Sequence, residues 1–466
     1  MSTYVKSIKA TGVFDRFTIP PIKFERGVNI LHGKNGTGKT TLLHILANVL
    51  NGDFKRFSHM HFDTIEVELD EDRYIKLERL QKDDYSKIYV YINEEKKYEF
   101  STKIIRPDIS HLRISEDMLP SIRRRMIADA EEVSEKEEIP PEPMLKTAYF
   151  PAFRTMIEAW AAMRDEPFQR SEQERWERQA TRRAREWFGE FVPVVNFPSL
   201  LEIDSELTRQ IRVSKDRMLR QDRKLVTKAF LDIFKALSSE ESIVEGTDAV
   251  LTSIKGIFDR LEQSPMKAES LILTGIYSDL RDLIDKSKFS EKEGATTVRI
   301  LNVYRQMLTD IADVQETSLQ EVIRYLLAVN KFLENKSMVI SSENSRAMSA
   351  ISIKFADSSQ VSSLRTLSSG ERQIATLMYA ATHMHEQKVV LIDEPEISLH
   401  VDWQSGLLKK MSEYLGDRQI IACTHSPVIA EDYEDSRRKL KLEAKVSAPD
   451  SETVDIDLSD QEETTY

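Results

Sequence analysis

Gly33-Lys34-Asn35-Gly36-Thr37-Gly38-Lys39-Thr40-Thr41 decides how the rest of this chain is read. Every fixed position of the Walker A pattern, G-x-x-x-x-G-K-[ST], is filled. The flanks agree with it. Val28-Asn29-Ile30-Leu31 is a short apolar run that reads as a buried strand, and Thr41 to Leu50 reads as a helix ended by Gly52. A strand, a glycine-bearing loop and a helix turn backbone N–H groups inward around a phosphate, with the positive end of the helix dipole behind them. Gly33, Asn35, Gly36, Thr37, Gly38, Lys39, Thr40 and Thr41 are therefore the candidate nucleotide-binding residues. On this pattern Lys39 reaches the β- and γ-phosphates, and the Thr40 hydroxyl holds Mg²⁺. A chance glycine-rich turn is the competing reading, and the flanking strand and helix count against it.

A second constellation lies near the other end of the chain. Val389-Val390-Leu391-Ile392 is followed by Asp393-Glu394-Pro395. The aliphatic run reads as a buried parallel strand. Its carboxylates emerge at the C-terminal edge, where open α/β sheets bind their ligands. Asp393 is the candidate Mg²⁺ ligand, directly or through water. Glu394 is the candidate general base, polarising the water that attacks the γ-phosphate.

Three further strings complete an order. Leu367-Ser368-Ser369-Gly370-Glu371-Arg372-Gln373 precedes the acidic strand, Leu399-His400 follows it, and Gln419 to Cys423 is an aliphatic strand leading to Thr424-His425-Ser426-Pro427. In this order they resemble the signature motif, D-loop and switch histidine of ATP-binding-cassette ATPases. The resemblance implies that Ser368, Ser369 and Gly370 of one subunit face the Walker A motif of another, so that two ATP molecules are sandwiched between two heads. It also implies that His425 contacts the γ-phosphate and shares the catalytic work with Lys39 and Glu394. Two positions depart from the usual LSGGQ: Ser369 stands where many members have glycine, and Glu371 where many have glutamine. No glutamine is convincing as a Q-loop residue.

Composition points to a soluble, cytoplasmic enzyme. Charged residues make up 31% of the 466-residue chain, which by length holds roughly two to three domains. No apolar run approaches the ~18 residues of a membrane span, and Met1-Ser2-Thr3-Tyr4 opens no signal region. The single cysteine, Cys423, excludes an intrachain disulfide and reads as a small core residue. A net charge of −12 argues against a surface coated in nucleic acid, though not against a local basic site.

The expected fold is α/β: a cassette-ATPase head, made of a phosphate-loop core sheet plus an antiparallel β-subdomain, with a helical insertion domain. Residues 1–155 read as the first half of the head and 156–340 as the insertion. Residues 341–440 read as the second half of the head and 441–466 as an acidic tail. Within the first half, residues 3–32 alternate like strands with Ile19-Pro20-Pro21 as a break, and Phe62 to Leu69 and Lys87 to Ile92 carry the period of two of half-buried strands. Residues 129–143 are acidic and proline-bearing, and read as a loop. In the tail, Thr453 to Leu458 alternates and allows one last strand. Ala148-Tyr149-Phe150-Pro151-Ala152-Phe153-Arg154 reads as a short strand ending in a proline and an arginine. Its Tyr-x-Pro-x-x-Arg string resembles one near the ATP site of cassette ATPases, which implies that Arg154 approaches the nucleotide. The residues alone equally suit a solvated arginine at a helix start.

The insertion is helical in pattern. Leu273, Ile276, Leu280, Leu283 and Ile284 recur at helix spacing, as do Leu319, Val322, Ile323, Leu326 and Leu327. One stretch is basic: Arg209, Arg212, Lys215, Arg217, Arg220, Arg223, Lys224 and Lys228 stand against only Asp216 and Asp222. It reads either as a surface for DNA or an acidic protein, or as a solvated helix paired with acidic neighbours.

Taken whole, the chain resembles the head-plus-insertion ATPases of the overcoming-lysogenization-defect and RecF-like branch, related to the chromosome-maintenance group. Many of that branch carry a Toprim nuclease after the switch histidine. This sequence ends about forty residues after His425, too few for one. The layout is similar to that of stand-alone ATPases of bacterial antiphage systems, first the AriA family of PARIS systems and second the PtuA family of Septu. That resemblance implies a homo-oligomer, a hexameric ring among the options. It implies a separate Toprim nuclease effector held inactive, and a phage-encoded DNA-mimic protein as trigger. A RecF-like DNA-repair ATPase that binds DNA is the alternative. A transporter subunit is a third reading, disfavoured by the helical insertion.

Overall fold

The computed structural model describes residues 3–70, 73–82, 85–103, 143–162, 173–238, 246–263, 295–341, 349–358 and 360–444. The acidic loop over 129–142, the stripe from Leu273 to Ile284 and the alternating run from Thr453 to Leu458 lie outside those residues.

The centre is a five-stranded parallel sheet. Its order is β14 (Arg437–Lys439), β3 (Val28–His32), β13 (Gln419–Thr424), β12 (Val389–Asp393), β8 (Thr147–Phe150). Four of these strands are apolar runs without alternation, as a sheet covered on both faces requires. Every residue of β8, β12 and β13 is buried. One polar exception in β3 is satisfied: Asn29 Oδ1 accepts from Glu25 N at 2.8 Å, and its Nδ2 donates to Glu25 O at 2.7 Å.

Beside it stands a seven-stranded antiparallel sheet in the order β15 (Glu443–Ala444), β2 (Phe17–Lys23), β1 (Val5–Val13), β4 (Thr64–Leu69), β5 (Tyr74–Lys82), β6 (Tyr85–Ile92), β7 (Glu95–Lys103). Gln419 staples the two sheets. Its Oε1 accepts from Val5 N at 3.0 Å, and its Nε2 donates to Val5 O at 3.0 Å and to Glu25 O at 2.8 Å. The expected break at Ile19-Pro20-Pro21 does not occur: β2 runs through both prolines. The register between β1 and β2 shifts between Ile8 and Ala10, opposite the prolines, so no ladder bond is asked of them. The short strand β15 returns the chain to this sheet, so the residues just past 440 pack on the head.

Among the described residues the helices are α1 (Lys39–Leu50), α2 (Arg154–Ala162), α3 (Gln173–Phe188), α4 (Leu200–Ser238), α5 (Thr247–Gln263), α6 (Ala295–Ser318), α7 (Gln320–Asn330), α8 (Ser369–His383), α9 (Val401–Gln404) and α10 (Leu407–Leu415). The described residues form three apolar cores. One lies between the two sheets around Leu42, Leu46, Leu391 and Ile421. A second covers the other face of the parallel sheet with α7, α8 and the start of α4. A third, built from Val250, Ile254, Leu308 and Ile311 against Ala229, closes the helical insertion away from the sheets. Within α7 the expected stripe buries Leu319, Val322 and Leu326, while Leu327 is exposed. The strands β9 (Lys336–Ile340), β10 (Ile351–Phe355) and β11 (Val361–Ser362) form a small antiparallel sheet that leads into α8.

Candidate functional site

The ends of β3, β12 and β13 lie side by side, because β13 pairs in parallel with both neighbours. That topology alone brings three distant strings of sequence together: the phosphate loop, Asp393-Glu394 and His425. The loop turns through Gly36 and Gly38, both at φ of +77°, a conformation that side chains disfavour. Gly38 then serves as the N-cap of α1.

Lys39 is buried and points along the loop. Its Nζ donates to Gly33 O at 3.0 Å, to Lys34 O at 3.2 Å and to His425 Nε2 at 2.8 Å. Glu394 Oε1 lies 2.9 Å from the same imidazole nitrogen. Thr40 Oγ1 donates to Asp393 Oδ2 at 2.8 Å, while Asp393 Oδ1 is buried with no partner. A hydroxyl and a carboxylate with a lone oxygen to spare form the hard donor set that Mg²⁺ takes, so Thr40 and Asp393 fit that ion.

The electrostatics follow from burial. Desolvation raises the Asp393 carboxyl, an effect opposed by the Thr40 bond and by Arg154. Glu394 is raised further, by burial first and then by a hydrogen bond shared with Glu396 and the charge of Asp393. Desolvation and the neighbouring Lys39 lower His425, which is therefore neutral near pH 7. A neutral imidazole beside a lysine and a basic carboxylate can accept, donate and pass hydrogen bonds around a phosphate.

A cleft of about 360 Å³ opens over these groups. Asn35, Gly36, Thr37, Gly38, Lys39, Thr40, Thr41, Glu394 and His425 line its polar end, and Val13, Phe14, Phe17, Ile19 and Leu442 line its apolar end. The apolar residues were not read from sequence. They come from the β1–β2 hairpin and from the segment before β15, neither of which carries a motif. Leu442 closes tightly: a β-carbon on Gly38 would lie 3.2 Å from its Cδ1.

Ser368, Ser369 and Gly370 are not among the residues lining this cleft. They start α8, and Ser368 is its N-cap. Ser368 N donates to Glu371 Oε2 at 2.7 Å, and Glu371 N donates to Ser368 Oγ at 3.4 Å. This capping box, with Lys336 Nζ at 2.8 Å from Glu371, accounts for the glutamate in place of the usual glutamine. Gly370 meets a neighbour of its own chain, since a β-carbon there would lie 2.5 Å from Ser398 O.

Arg154 is neither at the cleft nor solvated. It is 1% exposed. Its Nη1 donates to Pro151 O at 2.9 Å and Asp393 O at 2.8 Å, and its Nη2 donates to Glu394 O at 2.9 Å. The guanidinium therefore fixes the backbone that carries both carboxylates.

The AAA ATPase domain family matches residues 16–430. The chain belongs to that family. No curated protein matches it significantly in sequence. Among solved structures, this AAA ATPase-domain chain is similar to the Smc head domain with an extended coiled coil bound to the C-terminal domain of ScpA, from Pyrococcus furiosus. The identity is 12%, over 95% of this chain and 96% of that one, with a TM-score of 0.39. The SmcHead bound to the C-winged helix domain of ScpA gives 11%, 95%, 97% and 0.42. The recombination mediator protein RecF in the RecFOR pathway gives 13%, 92%, 94% and 0.31. All three scores lie below 0.5, and the family assignment rests on the match over residues 16–430. Among the described residues, no helix is long and apolar enough to cross a membrane.

Proposed function

We propose that this AAA ATPase-domain protein binds ATP with Mg²⁺ and hydrolyses it in the manner of cassette ATPases of the RecF-like branch. The convergence of Lys39, Thr40, Asp393, Glu394 and His425 on one cleft supports this reading. Lys39 would leave His425 for the β- and γ-phosphates. Thr40 and Asp393 would hold Mg²⁺, which neutralises charge on those phosphates. Glu394 would take the proton of the attacking water, and its raised basicity suits that task. Ser368 and Gly370 would serve the cleft of a partner subunit, giving ATP-sandwiched dimers within a homo-oligomer. Lys39→Ala should abolish nucleotide binding and turnover together; a Lys39→Ala protein that still hydrolyses ATP contradicts the assignment.

The biological role we propose is a cytoplasmic sensor and scaffold subunit of a bacterial antiphage system of the PARIS type. It would hold a Toprim-type nuclease until a phage-encoded DNA mimic is detected. The motif layout supports it, together with one surface. Arg212, Arg217, Arg220, Arg223, Lys224 and Lys228 are exposed on α4, on the side away from the buried Met218, Asp222 and Ala229. Arg209, first in the run, is instead paired with Glu206. A local basic face can steer an acidic partner to a chain of net charge −12. Charge reversal at Arg212, Arg220 and Arg223 should abolish phage-triggered toxicity while sparing ATP turnover and assembly. A triple variant that responds fully to phage overturns this reading. The same face suits duplex DNA, and tight, salt-dependent duplex binding by the purified protein would favour the RecF-like repair reading instead.

A further inference from the structure

Glu396 belongs to none of the motifs quoted above. It sits in the turn after β12, between Glu394 at φ +48° and Ser398 at φ +64°. Two non-glycine residues in the left-handed region make this turn costly, so the surroundings must hold it. They do. Gln373 Nε2 donates to Pro395 O at 2.8 Å, and Arg154 takes the carbonyls of Asp393 and Glu394.

From that fixed turn, one oxygen reaches across to the end of β13. Glu396 Oε1 accepts from Thr424 Oγ1 at 2.7 Å, His425 N at 2.8 Å and Ser426 N at 2.9 Å. Charge-assisted bonds of this kind are short and strong. The loop that carries His425 is therefore held from the β12 side by its own backbone amides. A second tie runs in the same direction, from Ser426 Oγ to Gln404 Oε1 at 2.7 Å.

We propose that Glu396 is a positioning residue for ATP hydrolysis, which fixes the His425 backbone so that the imidazole stands between Lys39 and Glu394. This rests on the hydrolytic reading above. The imidazole is partly exposed, and its side-chain partners Lys39 and Glu394 would both engage other groups when phosphate is bound, which leaves it the backbone of Gly33. Its own backbone then carries most of the burden of placing it. Glu396 also shares a hydrogen bond with Glu394, so the double variant with His425 is what separates the route through His425 from that one.

The test compares ATP turnover and nucleotide affinity in the full-length protein for Glu396→Ala, Glu396→Gln, His425→Ala and the Glu396→Ala/His425→Ala double variant. Misplacement of a catalytic group by an ångström costs up to about 10²-fold, so Glu396→Ala should lose about tenfold or more in kcat with nucleotide affinity nearly unchanged. Glu396→Gln keeps an oxygen for the two amides and should recover most of that loss. The double variant should be no slower than His425→Ala. Turnover of Glu396→Ala close to wild type, or losses that multiply in the double variant, overturns the proposal. If Glu396→Ala does not fold, Glu396→Asp retracts the same oxygen by one methylene. It should then show the kcat loss at a wild-type melting temperature, and unchanged kcat in that folded variant overturns the proposal. A wild-type protein without turnover would instead refute the hydrolytic reading on which this rests.

Discussion

Lys39 Nζ donates to His425 Nε2 across 2.8 Å, so the lysine of the phosphate loop and the histidine at the end of β13 are partners before any phosphate takes either of them. A phosphate must compete with His425 for Lys39. Removing the imidazole therefore removes a competitor as well as the proposed catalytic group. His425→Ala should bind ATP as tightly as wild type or a few-fold more tightly, while turnover falls by about 10²-fold. Titration with a fluorescent nucleotide and steady-state kinetics on the same preparation measure both. Loss of binding would show that His425 holds the nucleotide itself.

Ser368 and Gly370 start α8 and are not among the cleft-lining residues, so an active site completed by a second subunit makes a sharp demand. Mixing Lys39→Ala protein with Ser368→Arg protein, each inactive alone, should restore partial turnover. One composite site then has both halves intact. A mixture as inactive as its components, or full turnover by a strictly monomeric wild-type preparation, contradicts the shared site.

Arg154 replaces three solvent contacts with three carbonyl bonds in a buried place. Bonds to a charged group contribute about 1.5–3 kcal/mol each, so Arg154→Ala should cost several kcal/mol and lower the melting temperature by roughly five degrees. Arg154→Lys keeps the charge but loses the fork, and should recover only part of it. Differential scanning calorimetry decides it; a melting temperature within two degrees of wild type, on the order of normal surface substitutions, refutes the bracing role.

Glu158, on α2, is half-buried beside Arg154, and desolvation pushes its carboxyl up to about 7, against the pull of Arg154 and Arg372. Its folded value thus lies above the unfolded one. A carboxyl raised in this way favours the fold below the unfolded value, and that contribution is lost as pH rises from about 4.5 through about 7. At pH 8 the folded protein must hold a desolvated charge at a cost of up to about 3 kcal/mol. Glu158→Gln carries no such charge. Its melting temperature relative to wild type should rise between pH 5 and pH 8. A difference that stays constant across that range contradicts the desolvated, proton-holding carboxyl.

The parts of the fold that were legible in sequence share one property: their signals are local. Val28 to Leu31, the glycine loop and the helix after it can be read because strand, turn and helix each announce themselves within a few residues. Asp393 and Glu394 are legible for the same reason, as the first carboxylates after four aliphatics. The strand through Pro20 and Pro21 was not, because what tolerates the prolines is a register shift in the neighbouring strand, a property of the pair. Arg154 was misplaced because its exposure depends on the turn after β12, more than two hundred residues away. Phe14, Phe17 and Leu442 carry no pattern at all; only the sheet order brings Leu442 beside the phosphate loop. Glu371 could have been found, since Ser-x-x-Glu ahead of an apolar helix is itself a capping signature.

Hydrolysis as proposed depends on Glu394 activating the attacking water. The most direct measurement is a single-turnover assay of Glu394→Gln with ATP already bound, beside the wild-type protein. Glutamine keeps the size of the side chain but cannot take a proton. The expected result is unchanged ATP binding and cleavage slowed by about 10²–10⁴-fold, leaving intact ATP trapped on the protein. Cleavage at the wild-type rate by Glu394→Gln would contradict the account.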